Sequence, residues 1–149
     1  MSIMKVESLS WDNIEPLANL AVQLWADCTV AERTTYYKEM VGSQTQTCYL
    51  LKENTKYIGF IELNLRRDYV EGSVSSPTAY VEGIFVIPDH RRLGIGTELI
   101  SAAERWAKAH GLNQLASDVQ LLNSMSMDFH KAAGFFEVNR IVCFVKDLK

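Results

Sequence analysis

The chain has 149 residues, of which 48% are hydrophobic and 22% charged, the composition of an ordinary globular protein long enough to bury a core. Its formal net charge is −3 and no basic run exceeds two residues, which argues against general nucleic-acid binding. No stretch of about eighteen apolar residues is present, so no membrane span is expected.

The N-terminus carries acids at Glu7, Asp12 and Glu15 and lacks a basic region followed by an apolar core, so a cytoplasmic protein with no membrane partner is expected. Ile3 to Val6 reads as a short strand. Asp12-Asn-Ile-Glu15 has capping-box spacing, and Pro16 falls in a first helical turn. Ile14, Leu17, Ala21 and Leu24 then mark one helical face, with Trp25 beside it. Thr29-Val-Ala-Glu32 is a second capping box, opening a helix through Met40 that Gly42 ends. Thr47–Leu51 and Tyr57–Leu65 read as a hairpin around a polar turn. Residues 66 to 77 are polar and turn-rich and read as a long surface loop, with Tyr69 its one aromatic. Tyr80–Ile87 is an apolar strand, and Leu99, Ile100, Ala103, Trp106 and Ala107 recur at the spacing of an amphipathic helix that Gly111 caps. Leu115–Val119 reads as a short strand. A helix capped by Asn123 or Ser124 follows, with Met125, Phe129, Ala132 and Ala133 inside and Gly134 at its end. Phe135–Val138 and Arg140–Val145 read as two last strands. Helices, a hairpin, a βαβα unit and a final hairpin make a single mixed α/β domain over residues 1–149.

Three cysteines, Cys28, Cys48 and Cys143, are odd in number and far apart, and His90, His110 and His130 do not fall at ligand spacing. Neither a disulfide framework nor a metal site is expected. Cys48 and Cys143 read as core residues of strands.

Two features carry chemistry. The first is the join from strand to helix, Arg91-Arg-Leu-Gly94-Ile95-Gly96-Thr97. A helix start has free N–H groups and the positive end of the dipole, glycines let a ligand approach the backbone, and Arg91 and Arg92 add charge. A diphosphate is the expected ligand. Gly96 is followed by Thr97-Glu98, without the lysine of a P-loop, and no third glycine completes a dinucleotide fingerprint. The second feature is a pair of acids, Glu82 and Asp118, that interrupt apolar strands. A carboxylate in that setting is costly unless solvated, paired or used.

The segment Arg91-x-x-Gly94-x-Gly96, after a Val/Ile-rich strand and Pro88, resembles the acetyl-CoA pyrophosphate loop of the GNAT acetyltransferase superfamily. The resemblance implies a central mixed sheet flanked by helices, with two parallel strands splayed apart and the pantetheine arm of acetyl-CoA between them. It places Phe85 and Val86 of the first splayed strand, the loop Arg91, Arg92, Gly94, Ile95, Gly96 and Thr97, and Asn123 on the cofactor. Many family members carry Tyr-x-x-x-Gly-Phe, whose tyrosine protonates the departing thiolate; here the segment is His130-Lys-Ala-Ala-Gly134-Phe135. Histidine, with a reference pKa of about 6.5, is able to fill that role.

Asp68-Tyr69-Val, Ser75-Ser-Pro77, Val81-Glu-Gly-Ile-Phe-Val86 and Ala116-Ser-Asp118 together are similar to aminoglycoside 6'-N-acetyltransferases. That resemblance implies direct transfer from acetyl-CoA to an antibiotic amine, resistance as the outcome, a homodimer, and a sugar pocket lined by Trp25, Tyr69, Glu82 and Asp118. Glu82 and Asp118 are then the groups that bind the acceptor's cation and help remove its proton. Other acceptors remain open, namely a polyamine, an amino acid or a protein N-terminus, as does a non-catalytic acetyl-CoA-binding regulatory domain. The strand acids favour an enzyme.

Overall fold

A computed structural model describes residues 2–149. Its sheet has five strands in sequential order: β1 (Met4–Ser8), β2 (Gln46–Glu53), β3 (Lys56–Arg66), β4 (Thr78–Val86) and β5 (Leu115–Ala116). β1 to β4 are antiparallel, and β5 runs parallel to β4. Helices α1 (Ile14–Leu24) and α2 (Val30–Met40) cover one face of the sheet. Helix α3 (Ile95–Ala109) covers the other, and α4 (Ser124–Ala132) follows β5. This is the expected mixed α/β sheet flanked by helices.

β3 is buried on both faces from Ile58 to Leu63, and its sequence is apolar from Tyr57 to Ile61 before Glu62 and Asn64 alternate with Leu63 and Leu65. Phe60 packs with Leu17, Ala21 and Phe85 under α1, while Ile61 and Leu63 pack with Leu99 and Ala103 of α3. All five apolar positions expected for α3, Leu99, Ile100, Ala103, Trp106 and Ala107, are buried. The capping box at Thr29 is formed, with Glu32 N donating to Thr29 Oγ1 and Thr29 N to Glu32 Oε1.

Several expectations are corrected. α1 is preceded by Asn13, not by an Asp12 cap. The Asn13 side chain accepts from Ser10 N and donates to Ser8 O, tying the helix start back to β1. Arg66 closes β3 and does not begin the loop. In α4, Met125 and Ala132 face outward and His130 is the buried residue, because Phe129 and Ala133 alone of the expected face reach the α3 side of the core. β5 is only two residues long, and residues 135–149 form no strand. Strands need a hydrogen-bonded neighbour, and none among the described residues pairs with that segment. Val138 instead lies against Gly72, and Asn139 donates to Glu71. Cys143 is consequently exposed and outside any strand, while Cys48 is a buried residue of β2.

A bulge in β4 matters most for the site. Opposite β3, Glu62 pairs with Gly83 and the next residue, Leu63, pairs with Val81. Glu82 is the extra residue. Val81 and Ile84 belong to the α3 side, whereas Gly83 lies under Trp25 and Phe85 under α1. Glu82 and Gly83 therefore both turn toward the α1/α2 face, a re-aiming of a side chain typical of bulges.

Candidate active site

β4 and β5 are paired only at Ala79–Leu115 and Tyr80–Ala116. Beyond Tyr80 the β4 edge runs on without a strand beside it, so the two parallel strands open into a gap. Phe85 and Val86 lie along this open edge, and Arg91 folds back over it. Arg91 Nε donates to Val86 O at 2.8 Å, and its guanidinium lies 5.5 Å from the Phe85 ring centroid.

At the end of the gap, Gly94 precedes α3 with φ of 78°, a left-handed conformation that glycine adopts freely. No side chain caps α3, so the N–H groups of Ile95, Gly96 and Thr97 have no intrahelical acceptor. Space beside Gly94 is open, with nothing within 4 Å of where a Cβ would stand. Arg92 is exposed and itself has φ of 66°. Gly96 serves a different purpose: a Cβ there would lie 2.5 Å from the Phe129 ring, so the glycine lets α4 pack against the start of α3. Asn123 caps α4 by accepting from Ser126 N. An uncapped helix start, a left-handed glycine with free space and exposed arginine charge fit a diphosphate, and the open β4 edge fits an extended chain.

On the α1/α2 face, a cleft of about 600 Å3 is lined by residues that include Tyr36, Glu62, Arg66, Asp68 and Glu82. Trp25 packs on Phe60 and fits against Gly83, where a Cβ would come within 2.5 Å of its ring. Glu82 is held by Arg66, whose Nε and Nη2 lie 2.7 and 2.6 Å from its two oxygens. The same guanidinium lies 3.5 Å from the Tyr80 ring centroid, and the Tyr80 hydroxyl donates to Asp118. Glu82 and Asp118 are thus brought to one side of the sheet and joined through Arg66 and Tyr80. Burial and the bond to Asp118 raise the Tyr80 hydroxyl pKa, so Tyr80 stays protonated at neutral pH. Tyr69 stands apart, highly exposed on its loop and bonded to Glu71.

A model of the acetyltransferase (GNAT) family matches residues 11–135. The chain belongs to the GNAT acetyltransferase family. It is 39% identical to the aminoglycoside N(6')-acetyltransferase type 1 of Acinetobacter genomosp. 13, over 99% of both chains. It is 36% identical to the enzyme of the same name from Klebsiella aerogenes, over 95% of this chain and 91% of that one. Among solved structures it is similar to AAC(6')-Iy in complex with the bisubstrate analogue CoA-S-monomethyl-acetylneamine. That match has 30% identity and a TM-score of 0.93, covering 98% of this chain and 99% of the other.

Sequence reasoning missed three features of this candidate site. Arg66, which pairs with Glu82, was hidden in a segment that reads as loop. Tyr80 lay inside a strand and reads as packing. The third is a buried group around Glu62: Arg33 lies 2.7 Å from its carboxylate, and the Tyr37 hydroxyl donates to it at 2.8 Å. Burial raises the Glu62 pKa, while Tyr37 and Arg33 pull it down and nearby Glu82 adds to the rise. Arg33 is wedged against the rings of Trp25, Tyr36 and Tyr37 at 4.4, 4.5 and 4.7 Å, so this ion pair fixes Trp25. A charged residue in the interior of both β3 and α2 was the available signal.

His130 is buried between Phe129 and Phe135. Its Nδ1 lies 2.7 Å from Ser126 O, an acceptor only, so Nδ1 carries the proton. In the neutral ring Nε2 then accepts from Ser117 Oγ at 2.8 Å. Ser117 follows β5 directly and adjoins Asp118, so His130 faces the strand gap through a hydroxyl.

Proposed function

We propose that residues 1–149 act as one acetyltransferase domain that moves the acetyl group of acetyl-CoA directly to the 6'-amine of an aminoglycoside, and so confers resistance. The observation that carries this reading is the placement of Glu82 and Asp118. Both sit on the Trp25 face of the sheet, beside the gap between β4 and β5. Full-length similarity to enzymes named for this reaction supports it.

Acetyl-CoA supplies a thioester, an acyl group already activated for attack. The residues that would hold it are the backbone of Ile95, Gly96 and Thr97, the Gly94 hollow, Arg91 and Arg92 for the diphosphate, and Phe85, Val86 and Asn123 for the arm. Arg91 has to release Val86 O, or share it, for that edge to bind the arm.

An alkyl ammonium with a lysine-like pKa of about 10.4 is neutral in roughly one molecule of a few thousand at pH 7. Glu82 and Asp118 bind that cation and accept its proton, directly or through water, so the free amine forms next to the thioester. Tyr69, exposed on its loop, and the part of Trp25 that Phe60 and Arg33 leave uncovered offer aromatic surface to sugar rings. The leaving thiolate takes a proton in turn. His130 provides it through Ser117: Nε2 takes a proton from solvent and donates it to Ser117 Oγ, whose own hydroxyl proton passes to the thiolate. The nitrogen–acyl bond replaces the sulfur–acyl bond, with one proton lost from the amine and one gained by the thiol.

The protein acts as a homodimer. Residues 135–149 carry Phe136, Ile141, Val142, Phe144, Val145 and Leu148, all largely exposed, and a second copy that pairs with this segment covers them. The test of function is thiol release from acetyl-CoA with tobramycin, spermidine, a free amino acid or a peptide as acceptor. Selective turnover of tobramycin is expected. Turnover confined to another amine, or none at all, refutes the reading.

A further inference from the structure

The molecule holds two glutamate–arginine pairs on the same face of the sheet, and they differ in kind. Arg33 is pinned: three aromatic rings surround it and only 13% of its side chain is exposed. Arg66 is not. It stands at the end of β3, at the edge of the loop that carries Tyr69, with 37% of its side chain exposed. Its fork grips both oxygens of Glu82, and its flat face covers Tyr80, the residue bonded to Asp118. A single guanidinium therefore occupies one of the acceptor carboxylates directly and the other through Tyr80.

We propose that Arg66 is an internal stand-in for the acceptor's ammonium group, held at Glu82 in the free protein and displaced when the acceptor binds. The inference rests on the assignment of Glu82 and Asp118 to the acceptor. Displacement is feasible because the guanidinium has solvent on one side and a flexible stem, whereas its bonds to Glu82 are replaced by those of the incoming cation. It is also selective. A neutral sugar has nothing to offer Glu82 in exchange for a bidentate ion pair, so only a cation opens the site. With Arg66 swung out, the cleft carboxylates Glu62, Asp68 and Glu82 outnumber Arg33 and Arg67, with Asp118 beyond Tyr80, a field that favours an acceptor with several ammonium groups. In the free protein the same bond keeps Glu82 from standing unpaired beside Glu62.

The test is the dissociation constant for tobramycin, measured by titration calorimetry on the wild-type protein and on Arg66→Met, which keeps the stem and removes the charge. Arg66→Lys keeps the charge and loses the fork. Arg67→Met controls for the general loss of a positive charge, since Arg67 is an exposed neighbour on the same cleft. Arg66→Met is expected to tighten tobramycin by about fivefold, the scale of a partly exposed ion pair, and to lower the melting temperature. Arg66→Lys is expected to fall between it and wild type, and Arg67→Met to change affinity by less than about twofold. Acetyl-CoA affinity is the control for folding. Weaker tobramycin binding in Arg66→Met would mean that Arg66 orients Glu82 for the acceptor, and overturns the proposal. Equal tightening by Arg67→Met overturns it too, because bulk charge then explains the effect. A wild-type protein that binds no tobramycin removes the acceptor assignment itself and this inference with it, whereas normal wild-type turnover with an unresponsive Arg66 removes the inference alone.

Discussion

Replacing Glu82 by glutamine keeps its volume and removes its charge, which isolates what the carboxylate does for the acceptor. In the structure Glu82 takes two short charge-assisted bonds from Arg66 and a longer one, 3.4 Å, from Asn64. On the acceptor reading an ammonium takes over the strong positions. Bonds of that class contribute about 1.5–3 kcal/mol each, so losing one weakens transition-state binding by about ten- to a hundredfold. Glu82→Gln, and Asp118→Asn on the other side of Tyr80, are each expected to lower kcat/KM for tobramycin by at least about tenfold. Acetyl-CoA binding is expected to stay within about twofold, because the proposed donor site is the β4 edge and the start of α3 and not this face. The assay is steady-state thiol release at varied tobramycin, with acetyl-CoA affinity measured separately by titration. Wild-type efficiency in both amide variants would refute the assignment.

Gly94→Val fills the open hollow before α3 and puts a branched residue at positive φ, a backbone cost of about 1–2 kcal/mol. The acetyl-CoA dissociation constant is expected to rise at least about tenfold in a protein whose circular dichroism shows it folded, and unchanged affinity assigns the diphosphate elsewhere. His130→Ala is expected to cut kcat by about a hundredfold while acetyl-CoA affinity is nearly unchanged, and Ser117→Ala to lower kcat in the same direction. A fully active His130→Ala protein assigns thiol protonation to water. Sedimentation at micromolar concentration is expected to give a dimer for the intact chain and a monomer once residues 140–149 are removed; a monomeric intact chain refutes pairing through that segment.

What the sequence determined by itself are the features that depend on near neighbours along the chain. Thr29 and Glu32 form their capping box because both partners lie within one turn. The spacing of Leu99, Ile100, Ala103, Trp106 and Ala107 places one face of α3 on the core wherever the sheet lies. Gly94 takes a left-handed conformation, and Asn123 caps α4, for equally local reasons. The features proposed to hold acetyl-CoA are almost all of this local kind, so their conformations are legible in the sequence. The acceptor side was only half legible. Glu82 and Asp118 are conspicuous as charges in apolar strands, but their surroundings come from distant segments. Only the pairing of β3 with β4 shows that Glu82 sits in a bulge and that Arg66 sixteen residues earlier grips it, and only the packing of α2 on the sheet brings Arg33 to Glu62. The C-terminal segment is the opposite case. Its sequence reads as strand, yet a strand exists only where another edge accepts its hydrogen bonds, and among the described residues none does. Local pattern decides which conformation a segment prefers, and tertiary structure decides which groups meet and whether a strand has a neighbour to pair with.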